Sequence, residues 1–456
     1  MDRLSWAERL PAGPLVRKIA AYLGAQGLPI YLVGGMVRDL LLGRPSYDLD
    51  FAVDGEAMAL ARRLADVLGG AYVPLDASRD VARVVLRTEQ GQIHVDLARL
   101  RAEGIEADLR ARDYTINALA VPIAGDLEDL LDPTGGRGDL AAGLLRIPYD
   151  QAFADDPLRI LRGIRLRATL GFTFTAETEA LARRWAPMLR RVSAERIRDE
   201  LAQILALPQA AESLAYAGIL GLGELLFPEL AGEAYRAGVE TVTAVERIMD
   251  DCRALSAEAA KTPWQPYAQD LRAHWAEELS LGRERQVAVK LAALWSGALA
   301  AEEAQRAGRK LRLSSHEIHQ VGATIRSARL LREWADRGDL LAPVQVYRYY
   351  RAHREAGVDG ALLALVQSRV AQDAATGAAP ILLGLAAQLL RAWFNERATL
   401  VEPPPLLSGR EIMAALGLPA GPGVGRLVEM LREAQVQGLV RTRDEALTHL
   451  RQLAGK

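Results

Sequence analysis

The sequence has one cysteine, Cys252, in 456 residues. That excludes an intrachain disulfide and a zinc site built on cysteines, and it suits a reducing cytoplasm. Long hydrophobic runs are missing as well. No stretch of about twenty residues is free of charge, which argues against a membrane span. The first residues, MDRLSWAERLPAGPLVRKIAAYLG, lack the uninterrupted apolar core of a signal peptide, so a cytoplasmic protein with no membrane partner is expected. The net charge is only −2. Taken as a total, this argues against a nucleic-acid partner, because a dedicated binder is usually basic. Short-period repeats, low-complexity tracts and a His-Asp doublet of the phosphohydrolase type are absent too.

What is present is uneven. Between Asp156 and Glu200 ten Arg stand against six acids, so a basic region hides inside a neutral total. The length predicts two to four domains. Residues 1–150 mix β and α signals. Pro29–Val33, Tyr47–Val53, Ala82–Arg87 and Gln92–Leu100 read as strands, the last two joined by a Glu89-Gln90-Gly91 turn. Met36–Leu42 and Glu56–Leu68 have helical spacing. Beyond residue 150 strand signals almost vanish. The pattern predicts an α+β head (1–150), then a helical neck (151–230) and body (231–400). Glu402-Pro403-Pro404-Pro405 cannot continue a helix and sets off a helical tail (401–456).

Asp48-Leu49-Asp50 lies in a predicted strand. Strand side chains alternate, so both carboxylates share a face and suit a hard divalent cation. His94-Val95-Asp96 offers a third carboxylate on another strand. Three such groups converging would suit a two-metal site. An Asp-x-Asp alone is weak evidence, since a solvated strand end is the better account of it. The flanks alter that. Val33-Gly34-Gly35 precedes Arg38 within a helix, and a glycine pair after a strand lets backbone amides approach a phosphate. Arg38 is placed to reach the same phosphates.

The run Gly-Gly-Met-Val-Arg-Asp-Leu-Leu-Leu-Gly-Arg-Pro-Ser-Tyr-Asp-Leu-Asp, residues 34–50, resembles the first motif of bacterial-type (class II) tRNA nucleotidyltransferases and their poly(A) polymerase relatives. Residues 112–120 (RDYTINALA) resemble the second motif. Residues 132–137 (DPTGGR) resemble the third, 155–165 (DDPLRILRGIR) the fourth and 193–201 (SAERIRDEL) the fifth. Residues 407–411 through 445–447 resemble the family's C-terminal helical domain. Residues 230–400 match no motif. The resemblance implies a polymerase-β-like nucleotidyltransferase head, magnesium in a two-metal site on Asp48 and Asp50 with Asp96 as third carboxylate, CTP or ATP as nucleotide, and the tRNA acceptor arm as partner.

It also implies site roles. Gly34, Gly35, Arg38, Arg112, Arg162 and Arg165 would contact the nucleotide, with Asp113 and Asn117 bracing the site. Asp156 and Arg159, three apart and expected on one helix, would read its base. A carboxylate accepts and a guanidinium donates, which matches the amino donor and ring acceptor shared by cytosine and adenine. An intrahelical ion pair is the bland account of that spacing, and the completeness of the surrounding motifs favours base reading over it. The first acid of the fourth motif is usually Glu, so Asp155 is a departure. Arg183, Arg184, Arg190 and Arg191 are candidates for tRNA backbone contact, although a solvated helix face explains them too.

One departure is informative. Many family members carry a longer flexible segment before the second motif. Here only ten residues, 102–111, separate Arg101 from Arg112. In the family a missing segment marks enzymes that add two cytidines and stop, since the loop is the lever that reorients the base-reading residues. The expectation is CC addition, with a separate enzyme supplying the final A. Full CCA addition, poly(A) synthesis by the same superfamily, and a non-catalytic RNA-binding role are the alternatives. His316 and His319 read as a surface helix rather than a metal pair.

Overall fold

The computed structural model describes residues 5–10, 13–88, 91–254, 262–370 and 378–454. The expected turn residues Glu89 and Gln90 lie outside them. The chain divides into two compact units, Met1–Val192 and Ser193–Lys456.

The first unit is built on a six-stranded mixed sheet. Its strands are β1 (Ile30–Val33), β2 (Asp48–Val53), β3 (Ala71–Asp76), β4 (Val81–Thr88), β5 (Gly91–Arg99) and β6 (Ala120–Pro122), in the order β3-β4-β5-β2-β1-β6. β2 and β5 run parallel, and the remaining neighbours are antiparallel. The helices of this unit are α1 (Ser5–Glu8), α2 (Gly13–Gly24), α3 (Gly35–Leu41), α4 (Ala57–Leu68), α5 (Ile105–Arg110), α6 (Gly136–Ala142), α7 (Ala152–Asp155), α8 (Leu158–Leu170) and α9 (Ala176–Trp185).

Alternation decides the two faces of the sheet. Leu49, Phe51 and Val53 on β2, with Val84, Leu86, Ile93, Val95 and Leu97 on β4 and β5, enter one core. α2 and α4 cover it, α4 through Leu60, Ala61, Leu64 and Ala65 at helical spacing. The opposite face of β2 carries Asp48, Asp50 and Ala52. Ala52 is sealed there by a second cluster of Val33, Ile105, Leu109, Ala118 and Ala120. The carboxylates therefore sit beside a packed patch, not on a bare strand end.

The fold is α+β, a small mixed sheet in a chain that is otherwise helical, as the pattern predicts. The expected head strands are present to within a residue or two. β3 is an addition: Pro74 conceals it, and Pro is tolerated because β3 is an edge strand. β6 was too short to read from sequence. Two small pairs also lie outside the predicted set, Leu144–Leu145 with Thr173–Phe174 and Glu278–Ser280 with Arg283–Glu284.

The second unit is helical around Glu233–Arg253, Arg285–Ser296, Ser315–Asp336, Ala356–Val370 and Ala378–Phe394. Asp359, almost fully buried, accepts from Gln320 Nε2 at 2.7 Å and Trp275 Nε1 at 3.2 Å, and lies 3.1 Å from His274 Nε2. Gly409–Leu416, Pro422–Val436 and Arg443–Ala454 close on a core of their own around Leu407, Ile412, Leu431 and Leu450. Trp264, Trp275, Trp295 and Trp393 are buried, as packing residues should be. Among the described residues no helix is long and apolar enough to cross a membrane.

Candidate active site

The parallel register of β2 and β5 sets Asp48 opposite His94 and Asp50 opposite Asp96. The antiparallel register of β5 and β4 then sets Asp96 opposite Arg83. Three strands thus present Asp50, Asp96 and Arg83 in a row on one face. Arg83 grips Asp96 with both prongs, Nε to Oδ1 at 2.7 Å and Nη2 to Oδ2 at 2.9 Å. His94 Nδ1 lies 3.1 Å from Asp48 Oδ1, and the Asp48 side chain is largely exposed.

Asp50 carries the electrostatic load. Its carboxyl is pushed up to about 6: burial is the largest cause, repulsion from Asp96 and Asp48 works in the same direction, and Arg112 and Arg83 pull the other way. Asp48, Asp50 and Asp96 come to one face of neighbouring strands without being drawn onto a single point. Among the described residues no three such groups are gathered closely enough to hold a metal ion. The reason is that Asp96 is turned to Arg83 and Asp48 to His94. Asp48 and Asp50 do fit a hard divalent cation: both are oxygen donors on one strand face, and crowded negative charge is what a cation relieves.

The glycine turn is built for close approach. Gly34 has φ +73°, and a Cβ there would lie 3.0 Å from Arg112 Nη1 and 3.9 Å from Asp50 Oδ2. α3 follows. Its Arg38 chelates the neighbouring Asp39 (Nε 2.9 Å, Nη2 3.0 Å) and donates from Nη1 to Asn117 Oδ1 at 2.8 Å. Asn117 donates from Nδ2 to Asp113 Oδ1 at 3.2 Å, and Arg162 Nη2 lies 3.5 Å from Asp113 Oδ2. Arg38, Asn117, Asp113 and Arg162 therefore form one connected chain. Burial opposes ionisation of Asp113, but the Arg162 charge and the bonds from Asn117 and the Tyr114 N–H outweigh it and hold the carboxyl below its ordinary range.

The expected placement of Asp156 and Arg159 on one helix needs correcting. Asp156 is not on a helix with Arg159. It is extended (φ −143°, ψ 96°) between α7 and α8, because Pro157 follows it and disfavours the helical conformation. Arg159 is buried on the first turn of α8. Its Nη2 donates to Ala111 O at 2.9 Å, and its Nη1 to Arg112 O at 3.2 Å and Tyr149 Oη at 3.1 Å. Tyr149 in turn donates to Asp155 Oδ2 at 2.9 Å, so the unusual acid steers the arginine through a tyrosine. Arg165 lies further along α8, half-buried.

The third motif acts as a brace. Both Asp132 oxygens cap the start of α6, accepting from Gly136 N at 2.7 Å and Arg137 N at 2.9 Å. Gly136 packs so tightly that a Cβ would fall 2.0 Å from Thr115 O of the second motif. Of the proposed RNA contacts, Arg183 is paired to Glu179 at 2.6 Å, Arg184 lies over the Trp185 ring at 5.3 Å, and Arg190 and Arg191 are exposed. Arg83, Asp108 and Tyr149 were not legible in sequence. Arg83 shares the alternation of its strand, but its partner is set by cross-strand register.

A sheet with a glycine turn, a carboxylate pair and Arg83, Arg112 and Arg38 close by has the make-up of a nucleotidyltransferase head. The poly(A) polymerase head domain family matches residues 30–146, and the "probable RNA and SrmB-binding site of polymerase A" family matches residues 171–233. A CC-adding tRNA nucleotidyltransferase of Geobacter sulfurreducens is 37% identical over 440 residues, covering 96% of this chain and 95% of the relative. An A-adding tRNA nucleotidyltransferase of Deinococcus radiodurans is 34% identical, covering 91% and 93%. A solved CCA-adding enzyme in complex with CTP is similar in fold, with a TM-score of 0.70 at 22% identity over 100% of this chain and 99% of that one. The chain belongs to the bacterial class II tRNA nucleotidyltransferase and poly(A) polymerase family. It is a nucleotidyltransferase.

Proposed function

We propose that the protein adds two cytidines from CTP to the 3′ end of tRNA and stops, leaving the terminal adenosine to a separate enzyme. One observation carries this reading. The segment 102–111, where family members hold a flexible lever, is short and largely taken up by α5, whose Ile105 and Leu109 are packed under the sheet. A packed connection gives the base-reading residues little freedom to switch from C to A. The CC-adding relative, alike over nearly its whole length, supports the same reading.

In this mechanism the tRNA 3′ hydroxyl attacks the α-phosphate of CTP, the bond to the β-phosphate breaks, and pyrophosphate leaves. Asp48 and Asp50 would hold magnesium in a two-metal site, with Asp96, whose two oxygens Arg83 also holds, as third carboxylate. A bound divalent cation supplies activation of the hydroxyl and neutralisation of the leaving group. Gly34 and Gly35 leave room for the triphosphate beside the backbone, and Arg38, Arg112, Arg162 and Arg165 supply positive charge around it. Asp156 accepts from the cytosine amino group. Arg159 has its Nε–H and one Nη2–H without a partner among the described residues, and these donate to the ring acceptor. Arg183, Arg184, Arg190 and Arg191 remain proposed contacts to the tRNA backbone.

The A-adding relative favours a second reading, transfer of AMP to a tRNA that already ends in CC. Extension of tRNA lacking its 3′ end, resolved to single nucleotides, tests both; two added cytidines without adenosine is the expected product.

A further inference from the structure

The connection 102–111 holds a carboxylate that neither the motifs nor the mechanism uses. Asp108, on α5, is 1% exposed. A buried carboxylate is stable only when its oxygens are matched by donors. Here the donors come from both ends of the connection. Oδ1 accepts from the main-chain N–H of Arg101 at 3.0 Å, at the start of the segment. Oδ2 accepts from Arg112 Nε at 3.1 Å and Nη2 at 3.0 Å, just past its end. The remaining prong of Arg112 points to the glycine turn, with Nη1 3.0 Å from where a Cβ of Gly34 would stand.

The same end of the connection holds the base reader. Arg159 donates to the carbonyl oxygens of Ala111 and Arg112 at 2.9 and 3.2 Å. Its pose is therefore set by where residues 111 and 112 lie, and those are fixed by the Asp108 tie and by Ile105 and Leu109 in the second core.

We propose that Asp108 is a positioning residue for nucleotide selection: its buried carboxylate staples both ends of the 102–111 connection and so holds Arg112 and Arg159 in one arrangement, which fits one base. This rests on the reading of Asp156 and Arg159 as the groups that meet the base. The connection is thus an anchored strap, not a lever. Loosening it frees Arg159 to accept more than one nucleotide.

The experiment compares kcat/KM for CTP and for ATP in the wild-type protein and in Asp108→Asn and Asp108→Glu, on tRNA ending before or within CCA. The Asn side chain keeps the size but loses the charge that holds Arg112. Asp108→Asn should reduce the CTP-over-ATP preference by about tenfold or more, and Asp108→Glu should recover part of it. An unchanged preference with a uniform loss of rate for both nucleotides would overturn the proposal and leave Asp108 a fold staple. Hydrogen–deuterium exchange of the wild-type protein guards against a variant that fails to fold. Amides of residues 105–112 should exchange slowly both with and without CTP, and fast exchange without nucleotide would overturn the anchored strap. The two layers fail separately: wild-type use of ATP bears on CC addition, and the shift between wild type and variant bears on Asp108.

Discussion

Arg83 and Asp96 face each other across β4 and β5 and close a two-bond fork, Nε to Oδ1 at 2.7 Å and Nη2 to Oδ2 at 2.9 Å. The arginine supplies the positive charge that the neighbouring Asp50 and Asp96 carboxylates need, and its own proton is held more tightly because Asp96 accepts from it. Replacing it by a neutral side chain of similar length should leave the carboxylates more attractive to a cation. Arg83→Met should bind Mn2+ several times more tightly in calorimetry, about threefold to tenfold, while transfer slows because Asp96 loses its orientation. Unchanged or weaker metal binding would contradict the role given to the fork.

Asp48 is exposed and lies within reach of His94, so its loss costs the fold little. Asp48→Ala should lower transfer by several kcal/mol of barrier, about a thousandfold or more. Affinity for tRNA, measured by filter binding without nucleotide, should remain within about twofold. Comparable turnover would remove Asp48 from the chemistry.

Asp50 makes the metal-free protein sensitive to pH. In the fold its carboxyl titrates at about 6, above the ordinary 3.8, so the folded state holds a proton that the unfolded chain releases between those values. Stability from this group is therefore full below about pH 4 and is lost as pH rises through about 6. Asp50→Asn removes the penalty. In EDTA at pH 7.5 it should be more stable than wild type by about 2–3 kcal/mol at most, with the gap closing at pH 4, while transfer is abolished. A variant less stable than wild type at pH 7.5 would contradict the crowding of charge at this position.

Gly163 on α8 lies under the Tyr114 ring: a Cβ there would fall 1.9 Å from Tyr114 Oη and 2.6 Å from Phe174 Cζ. Tyr114 also donates to Arg159 O at 2.8 Å, so the contact fixes α8 against the second motif. Gly163→Ala should cost about 3 kcal/mol in urea unfolding, and it should raise KM for CTP through displaced Arg159. A variant as stable as wild type would mean that α8 shifts freely.

The site was legible where local rules decide it. Alternation alone puts Asp48 and Asp50 on one face, and the glycine pair marks a turn whose Gly34 does take a positive φ. Cross-strand register was not legible, so the Asp50–Asp96–Arg83 row and the occupation of Asp96 by Arg83 emerge only in the folded sheet. The extended conformation of Asp156 follows a rule the sequence contains, since Pro157 disfavours helix at the residue before it. β3 was hidden by Pro74, because a proline in a strand reads as a break unless the strand is known to be an edge. Asp108 belongs to no motif and lies in a connection that sequence marks only as short. A carboxylate that staples both ends of its own segment is visible only once α5 is packed.

The most direct test of the account uses purified protein, magnesium, CTP and ATP together, and a tRNA lacking its 3′ terminal nucleotides, with products resolved to single-nucleotide length and sequenced at the 3′ end. The account predicts a product extended by two cytidines that accumulates without adenosine even at excess ATP. Efficient adenosine incorporation after those cytidines, or AMP transfer in preference to CMP, would contradict it.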